Sequence, residues 1–279
     1  MPPHRGNADN GVMVGCMPLP LHITVWDQGA SDATPVVFVH GTLNWGTLAF
    51  QDQRPLSRYR RLLVPDRRGF GASPDLEGGA HTSDHDVDAE DVVTLLGEGA
   101  HLVGHSYGGV VALLAAARRP DLVRSLALIE PAAHQVAADR PVVAAAIAAG
   151  RESMAGARRA TAEEYLEVVF GDRPRPGPAD WLLRAAHTAL HERPCWLADI
   201  PTEPLAGAAF PKLVVTGAWD VDVPGYWPGM GVVMKLVGEV VADRIGGRLV
   251  RVAGAAHEVQ REQPDTTNAL LTDLWAISG

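Results

Sequence analysis

The sequence predicts an α/β fold: a mostly parallel, twisted sheet flanked by helices, with a small helical cap inserted after the sixth core strand. Three observations carry that prediction. Continuous apolar runs of strand length recur along the chain, at Pro35–Val39, Leu62–Pro65, Leu102–Val103, Ser125–Ile129, Lys212–Thr216 and Arg248–Val252. Such runs mark strands buried on both faces. Segments of helical period lie between them, as parallel strands with right-handed crossovers require. Most of the runs end in a polar or glycine-bearing turn, at the sheet edge where α/β folds carry their chemistry.

The elements follow in order. Residues 1–18 are polar, then rich in glycine and proline, and read as a loose arm. Leu21–Trp26 alternates like a strand, and Pro35–Val39 is a buried one ending at His40-Gly41. A helical stretch over 45–57 precedes the strand that ends at Asp66, and the loop Arg67-Arg68-Gly69-Phe70-Gly71-Ala72-Ser73 follows. His81–Asp91 is crowded with His, Asp and Glu, but without metal-ligand spacing. Its acids suit the first turn of a helix over Val87–Leu96, where they offset the macrodipole. Residues 132–208 change character: they are rich in alanine and arginine, helical in pattern over Val142–Arg151, Ala162–Phe170 and Trp181–His191, and without strand periodicity. The expected organisation is therefore a core of 19–131 and 209–279 with a cap insertion at 132–208, closed by a helix over Pro264–Ile277.

Composition narrows the function. The 279 residues are 47% hydrophobic, enough for a large core. Acids outnumber Lys and Arg by 33 to 24, a net charge of −9, which argues against a nucleic-acid partner. Only Cys16 and Cys195 are present, far apart, so neither a disulfide framework nor a structural zinc is expected. Met1–Asn10 lacks the apolar core of a secretory signal, and the alanine-rich run Pro141–Gly150 is too short to span a bilayer. The expectation is a cytoplasmic protein acting on a small molecule without cofactor, metal, nucleic acid or membrane, with a homodimer left open.

One stretch organises the rest. Leu102-Val103-Gly104-His105-Ser106-Tyr107-Gly108-Gly109 runs from an apolar strand through Gly-x-Ser-x-Gly into the helical Val110–Ala117. Such a bend strains Ser106 and pushes its hydroxyl out at the top of the sheet. The Tyr107 N–H, at the helix start, is then aimed at an oxyanion. The strand ends also offer His40, Asp66, Glu130, Asp220 or Asp222, and the late His257. A nucleophile, candidate acids and a histidine thus converge on one edge, in the order Ser106…Asp220…His257.

These motifs, namely His40-Gly41, Asp66-Arg-Arg-Gly-Phe-Gly-Ala-Ser73, Gly104-His-Ser-Tyr-Gly-Gly109, Gly217-Ala-Trp-Asp220 and Gly254-Ala-Ala-His257, resemble the α/β-hydrolase superfamily from about residue 21 to the end. The resemblance implies Ser106 as nucleophile, His257 as base and then acid, and Asp220 as the group orienting its imidazole. Asp222, two residues on, and Glu130, at the end of the preceding core strand, stay open as alternative acids. The stretch after Asp222, Val223–Gly231, is longer than the family's usual turn at that point. The backbone N–H groups of Thr42 and Tyr107 would form the oxyanion hole. His40 and His105 would be structural, and Asp66 and Arg68 would fix their loop. Because position 106 is serine, the resemblance to epoxide hydrolases and haloalkane dehalogenases stops at the fold.

The implied activity is hydrolysis of a small-to-medium, largely apolar ester or lactone through an acyl-enzyme. Carbon–carbon or thioester hydrolysis, and non-hydrolytic use of the fold as a lyase, isomerase or binding protein, are the alternatives. His40, Leu43, Trp45, Trp181 and Trp219 are the expected substrate-binding positions, with Phe50, Trp196, Tyr226 and Trp227 as further aromatic candidates.

Overall fold

A computed structural model describes residues 20–29, 33–78, 80–157, 159–221 and 226–277. The expected arm at 1–18, Cys16 and the alternative acid Asp222 lie outside the described residues. Strands β1 (Ile23–Trp26) and β2 (Val36–Val39) lead into helix α1 (Gly46–Phe50), which continues as a 3₁₀ segment to Arg58. Then follow β3 (Leu62–Pro65), α2 (His85–Leu95), β4 (Ala100–His105), α3 (Tyr107–Arg118) and β5 (Val123–Ile129). Helices α4 (Pro141–Ala157), α5 (Ala162–Phe170), α6 (Ala179–His191) and α7 (Glu203–Gly207) separate β5 from β6 (Lys212–Gly217). The chain ends through α8 (Met230–Ile245), β7 (Arg248–Val252), α9 (Val259–Glu262) and α10 (Pro264–Ile277).

The seven strands form one sheet in the order β1-β3-β2-β4-β5-β6-β7, parallel except for β1, which pairs antiparallel with β3. The helical insertion follows the fifth strand rather than a sixth, because among the described residues only β1 precedes β2. Strand periodicity sorts the core. Val37, Val39, Leu102, Leu126 and Leu128 pack into one layer with α2, α3 and α8. Their neighbours Val36, Phe38, Val103, Ala127 and Ile129 pack into the opposite layer with α1 and α10. Burial on both faces is why these strands read as unbroken apolar runs.

The long helix α8 carries no counterpart in the sequence reading. Its run Val232-Val-Met-Lys-Leu-Val-Gly-Glu-Val-Val241 is apolar on most sides, and its buried face takes eight residues, so no amphipathic stripe stands out. Helices α5 and α6 are joined to the start of α1 by a third, smaller cluster in which Trp45 meets Leu166, Leu182 and Ala186. Among the described residues no helix is long and apolar enough to cross a membrane.

Candidate active site

The sharp turn between β4 and α3 sets the site. Ser106 sits at φ 54°, ψ −117°, a conformation that side chains rarely adopt. The turn demands the two flanking glycines. A Cβ on Gly104 would come within 2.3 Å of the Gly108 carbonyl oxygen, and one on Gly108 within 2.1 Å of that of Val39. The Ser106 N–H donates to Ile129 O at 3.0 Å, and its carbonyl accepts from the N–H groups of Gly109 and Ala132 at 3.0 and 3.1 Å. With the strained turn over-determined in this way, the hydroxyl faces the cavity at the head of α3.

His257 comes from the loop after β7. Its Nε2 lies 2.9 Å from Ser106 Oγ, and its Nδ1 lies 3.3 Å from Glu130 Oε2. Glu130 follows β5, has φ 46° and is fully buried. Its other oxygen accepts from the Gly217 N–H at 2.7 Å and the Trp219 indole N–H at 3.3 Å. Burial lowers the basicity of His257, but the hydrogen bond and charge of Glu130, with Glu258 and Glu262 behind, outweigh it and leave its pKa above 6.5. A hydroxyl against an imidazole that is itself against a carboxylate is an arrangement that can move the hydroxyl's proton.

The expected acid, Asp220, is elsewhere. It is exposed, and its Oδ1 accepts the Gly254 N–H at 2.9 Å. Asp220 therefore ties down the start of the loop that carries His257 without facing the imidazole. The physical reason lies in the turn after β6. Trp219, at φ 55°, turns its indole inward to Glu130, and the next side chain points out.

The expected substrate-binding positions divide. Two cavities, of about 330 and 460 Å³, open on Ser106 and share Thr42, Ser106 and Tyr165. Leu43 and Tyr226 line the larger, and Trp196 the smaller. Trp45 and Trp181 line neither: their rings meet edge to face at 5.5 Å and join α6 to the start of α1. Trp219 lines neither, its indole being engaged by Glu130, and Phe50 is a core residue on Phe38. Trp227 is 47% exposed. His40 is also removed from the cavities. It is fully buried, with Nδ1 2.8 Å from Gly41 O and Nε2 accepting the Arg67 N–H at 2.9 Å. A larger hollow of about 540 Å³, between Gln51–Tyr59 and α10, shares no residue with the two cavities.

His105 Nε2–H donates to the His257 carbonyl oxygen, 2.9 Å away, and so props the histidine loop. Asp66 accepts from the N–H groups of Gly46 and Ala72, and Arg68 forks onto Asp91, both within the loop after β3. The acidic stretch before α2 brings Asp84, His85 and Asp86 together as potential metal ligands. Asp84 caps the helix through the Asp86 N–H, and both aspartates pair with Arg193, so the carboxylates are already matched. His85 is buried beside Tyr107.

Three site residues escaped the sequence reading: Arg67, Glu192 and Tyr165. Arg67 is 2% exposed and pairs with Asp88 at 2.8 Å and Glu192 at 3.2 Å. Glu192, just beyond α6, accepts from the Thr42 hydroxyl and lines the smaller cavity. Only the charge of the doublet Glu192-Arg193 beside Pro194 hinted at it, and charge after a helix is common.

Known proteins resemble the chain in sequence and in fold. Over 153 residues the chain is 38% identical to the pimeloyl-[acyl-carrier protein] methyl ester esterase of Aeromonas hydrophila, covering 54% of this chain and 55% of that one. It is 35% identical over 111 residues to 2-hydroxymuconate semialdehyde hydrolase of a Pseudomonas species, covering 37% and 38%. The chain thus spans about half or less of the length of these curated relatives. Among solved structures, a thermophilic esterase from Thermogutta terrifontis superposes with TM-score 0.63 at 25% identity, covering 92% of this chain and 93% of that one. The enol-lactonase of Burkholderia xenovorans superposes with TM-score 0.59 at 22% identity, covering 92% and 96%, a likeness of fold. The model of the alpha/beta hydrolase family matches residues 36–270, most of the sheet and the whole candidate site. The chain belongs to the alpha/beta hydrolase family.

Proposed function

We propose that the protein is a serine hydrolase that cleaves a small-to-medium, largely apolar ester or lactone through an acyl-enzyme, with Ser106, His257 and Glu130 as its triad. The observation that carries this reading is the relay of contacts from Ser106 Oγ to His257 Nε2 at 2.9 Å and from His257 Nδ1 to Glu130 at 3.3 Å. Glu130 accepts a hydrogen bond from the Nδ1–H, which leaves the Nε2 lone pair facing Ser106. As Ser106 Oγ attacks the ester carbonyl, its proton passes to Nε2, and the imidazolium is held by the buried carboxylate. The oxyanion forms against the backbone N–H groups of Thr42 and Tyr107, a contribution on the order of 3–4 kcal/mol per donor in comparable sites. His257 then protonates the departing oxygen. A water, deprotonated by the same nitrogen, releases the acid from Ser106.

The two cavities support separate seats for the acyl and leaving groups, since both open on Ser106. The smaller is walled by Met154, Ala189, Leu190, Cys195 and Trp196, which suits an apolar chain. The test is turnover of p-nitrophenyl esters from acetate to octanoate by wild type and Ser106→Ala. Turnover that vanishes in the variant supports the serine mechanism, and the preferred length sizes the pocket. A folded wild type that turns over none of the series overturns the ester reading in favour of the carbon–carbon, thioester or non-hydrolytic alternatives.

A further inference from the structure

We propose that Glu192 is a positioning residue for catalysis: from the cap, its carboxylate grips the Thr42 hydroxyl and so fixes the loop that supplies one oxyanion donor. The inference rests on the role of Thr42 proposed above. Glu192 and Arg67 hold three consecutive residues of that loop. Arg67 Nε donates to His40 O at 3.2 Å, and its NH2 group donates to Gly41 O at 3.4 Å and to Glu192 Oε2 at 3.2 Å. The Thr42 hydroxyl donates to Glu192 Oε1. The next residue, Leu43, stands at φ 54°, a strained conformation that persists only when its surroundings fix it. The core supplies one half of this clamp and the end of cap helix α6 the other, so seating of the cap and shape of the loop are coupled.

The grip needs the ionised carboxylate. Glu192 shares its buried surroundings with Arg67, Asp88, Tyr107, Tyr165 and Cys195, two acids against one guanidinium. Burial pushes its carboxyl up to about 7, against the opposing pull of Arg67 and the Thr42 hydroxyl. As pH falls through that value, a neutral carboxyl would hold the loop less firmly. His257 must also lose its proton to act as a base, so two groups, not one, would limit activity on the acid side.

The experiment is the rate at which a fluorophosphonate labels Ser106, followed by intact mass across the pH range around neutrality. Wild type, Glu192→Gln, Thr42→Val and Thr42→Ser are compared, each checked for folding by circular dichroism. The phosphonyl oxygen occupies the oxyanion position, so the readout needs no identified substrate. The expected result is a two-proton acid limb in wild type and a one-proton limb in Glu192→Gln, whose rate at high pH falls roughly ten-fold. Thr42→Val should slow comparably, and Thr42→Ser, which keeps the hydroxyl, should stay within about two-fold of wild type. A Glu192→Gln protein with a two-proton limb and a wild-type rate overturns the inference alone. A wild type that is not labelled at Ser106 overturns the proposed hydrolase and this inference with it.

Discussion

The turn after β5 and the turn after β6 each present an acid towards the histidine loop, and they differ in what surrounds the carboxylate. Glu130 is fully buried, and each of its oxygens has a partner. Asp220 is exposed and accepts the backbone N–H of Gly254. A carboxylate can orient an imidazolium strongly only where water does not screen it and where hydrogen bonds fix its own position. The β5 turn meets both conditions. The β6 turn instead contributes Trp219, which donates to the same buried carboxylate, and an aspartate that staples the loop from outside.

The sharpest way to break this comparison is to remove each acid in turn. Glu130→Gln should lower kcat/KM roughly 1,000-fold or more, because the imidazole loses its tautomer and its counter-charge. Asp220→Ala should fall less than about ten-fold. Equal losses in steady-state kinetics would erase the distinction.

A second contrast sets Glu130 against Glu192, the buried acid with surplus negative neighbours. A carboxyl raised to about 7 in the fold contributes stability below its unfolded pKa and loses it as pH rises through 7. At pH 8 wild type therefore carries a cost of up to about 3 kcal/mol at this site. Thermal melts should show Glu192→Gln more stable than wild type at pH 8, with the gap closing towards pH 5. A gap that widens on acidification would contradict the sign. With the slower labelling expected above, the glutamate is an instance of stability given up for function.

Trp219→Phe removes one donor from Glu130 and keeps most of the packing. Hydrogen bonds to charged groups contribute about 1.5–3 kcal/mol, so a loss of roughly ten-fold in kcat with KM little changed is expected. A change in KM alone would return Trp219 to the role of a substrate contact. The smallest effect belongs to the stability of Asp220→Ala, about 1 kcal/mol for one lost hydrogen bond, seen as a fall in Tm of roughly 2–4 °C.

The sheet was legible because its strands are buried on both faces and its turns are marked by glycine. The elbow at Ser106 and the late His257 were legible because their motifs bring a geometry with them. Chain order also put an aspartate after β6, where it pointed to Asp220; the exposure of that carboxylate and the enclosure of Glu130 are properties that no local pattern records. Glu130 was visible as a strand-end acid, but its enclosure by Gly217 and Trp219 arises only when β5 and β6 pair. Glu192 was invisible for a related reason: its partner Thr42 is 150 positions away. Aromatic residues misled in the opposite direction. Trp45 and Trp181 lie in the right segments for a pocket, yet each has the other as its neighbour.

The most direct test of the central claim is proton NMR of the His257 Nδ1–H, which resonates far downfield when it donates to a buried carboxylate. The resonance should be present in wild type and Asp220→Ala and absent from Glu130→Ala and His257→Ala. Its loss in Asp220→Ala with retention in Glu130→Ala would contradict the assignment of Glu130 as the acid.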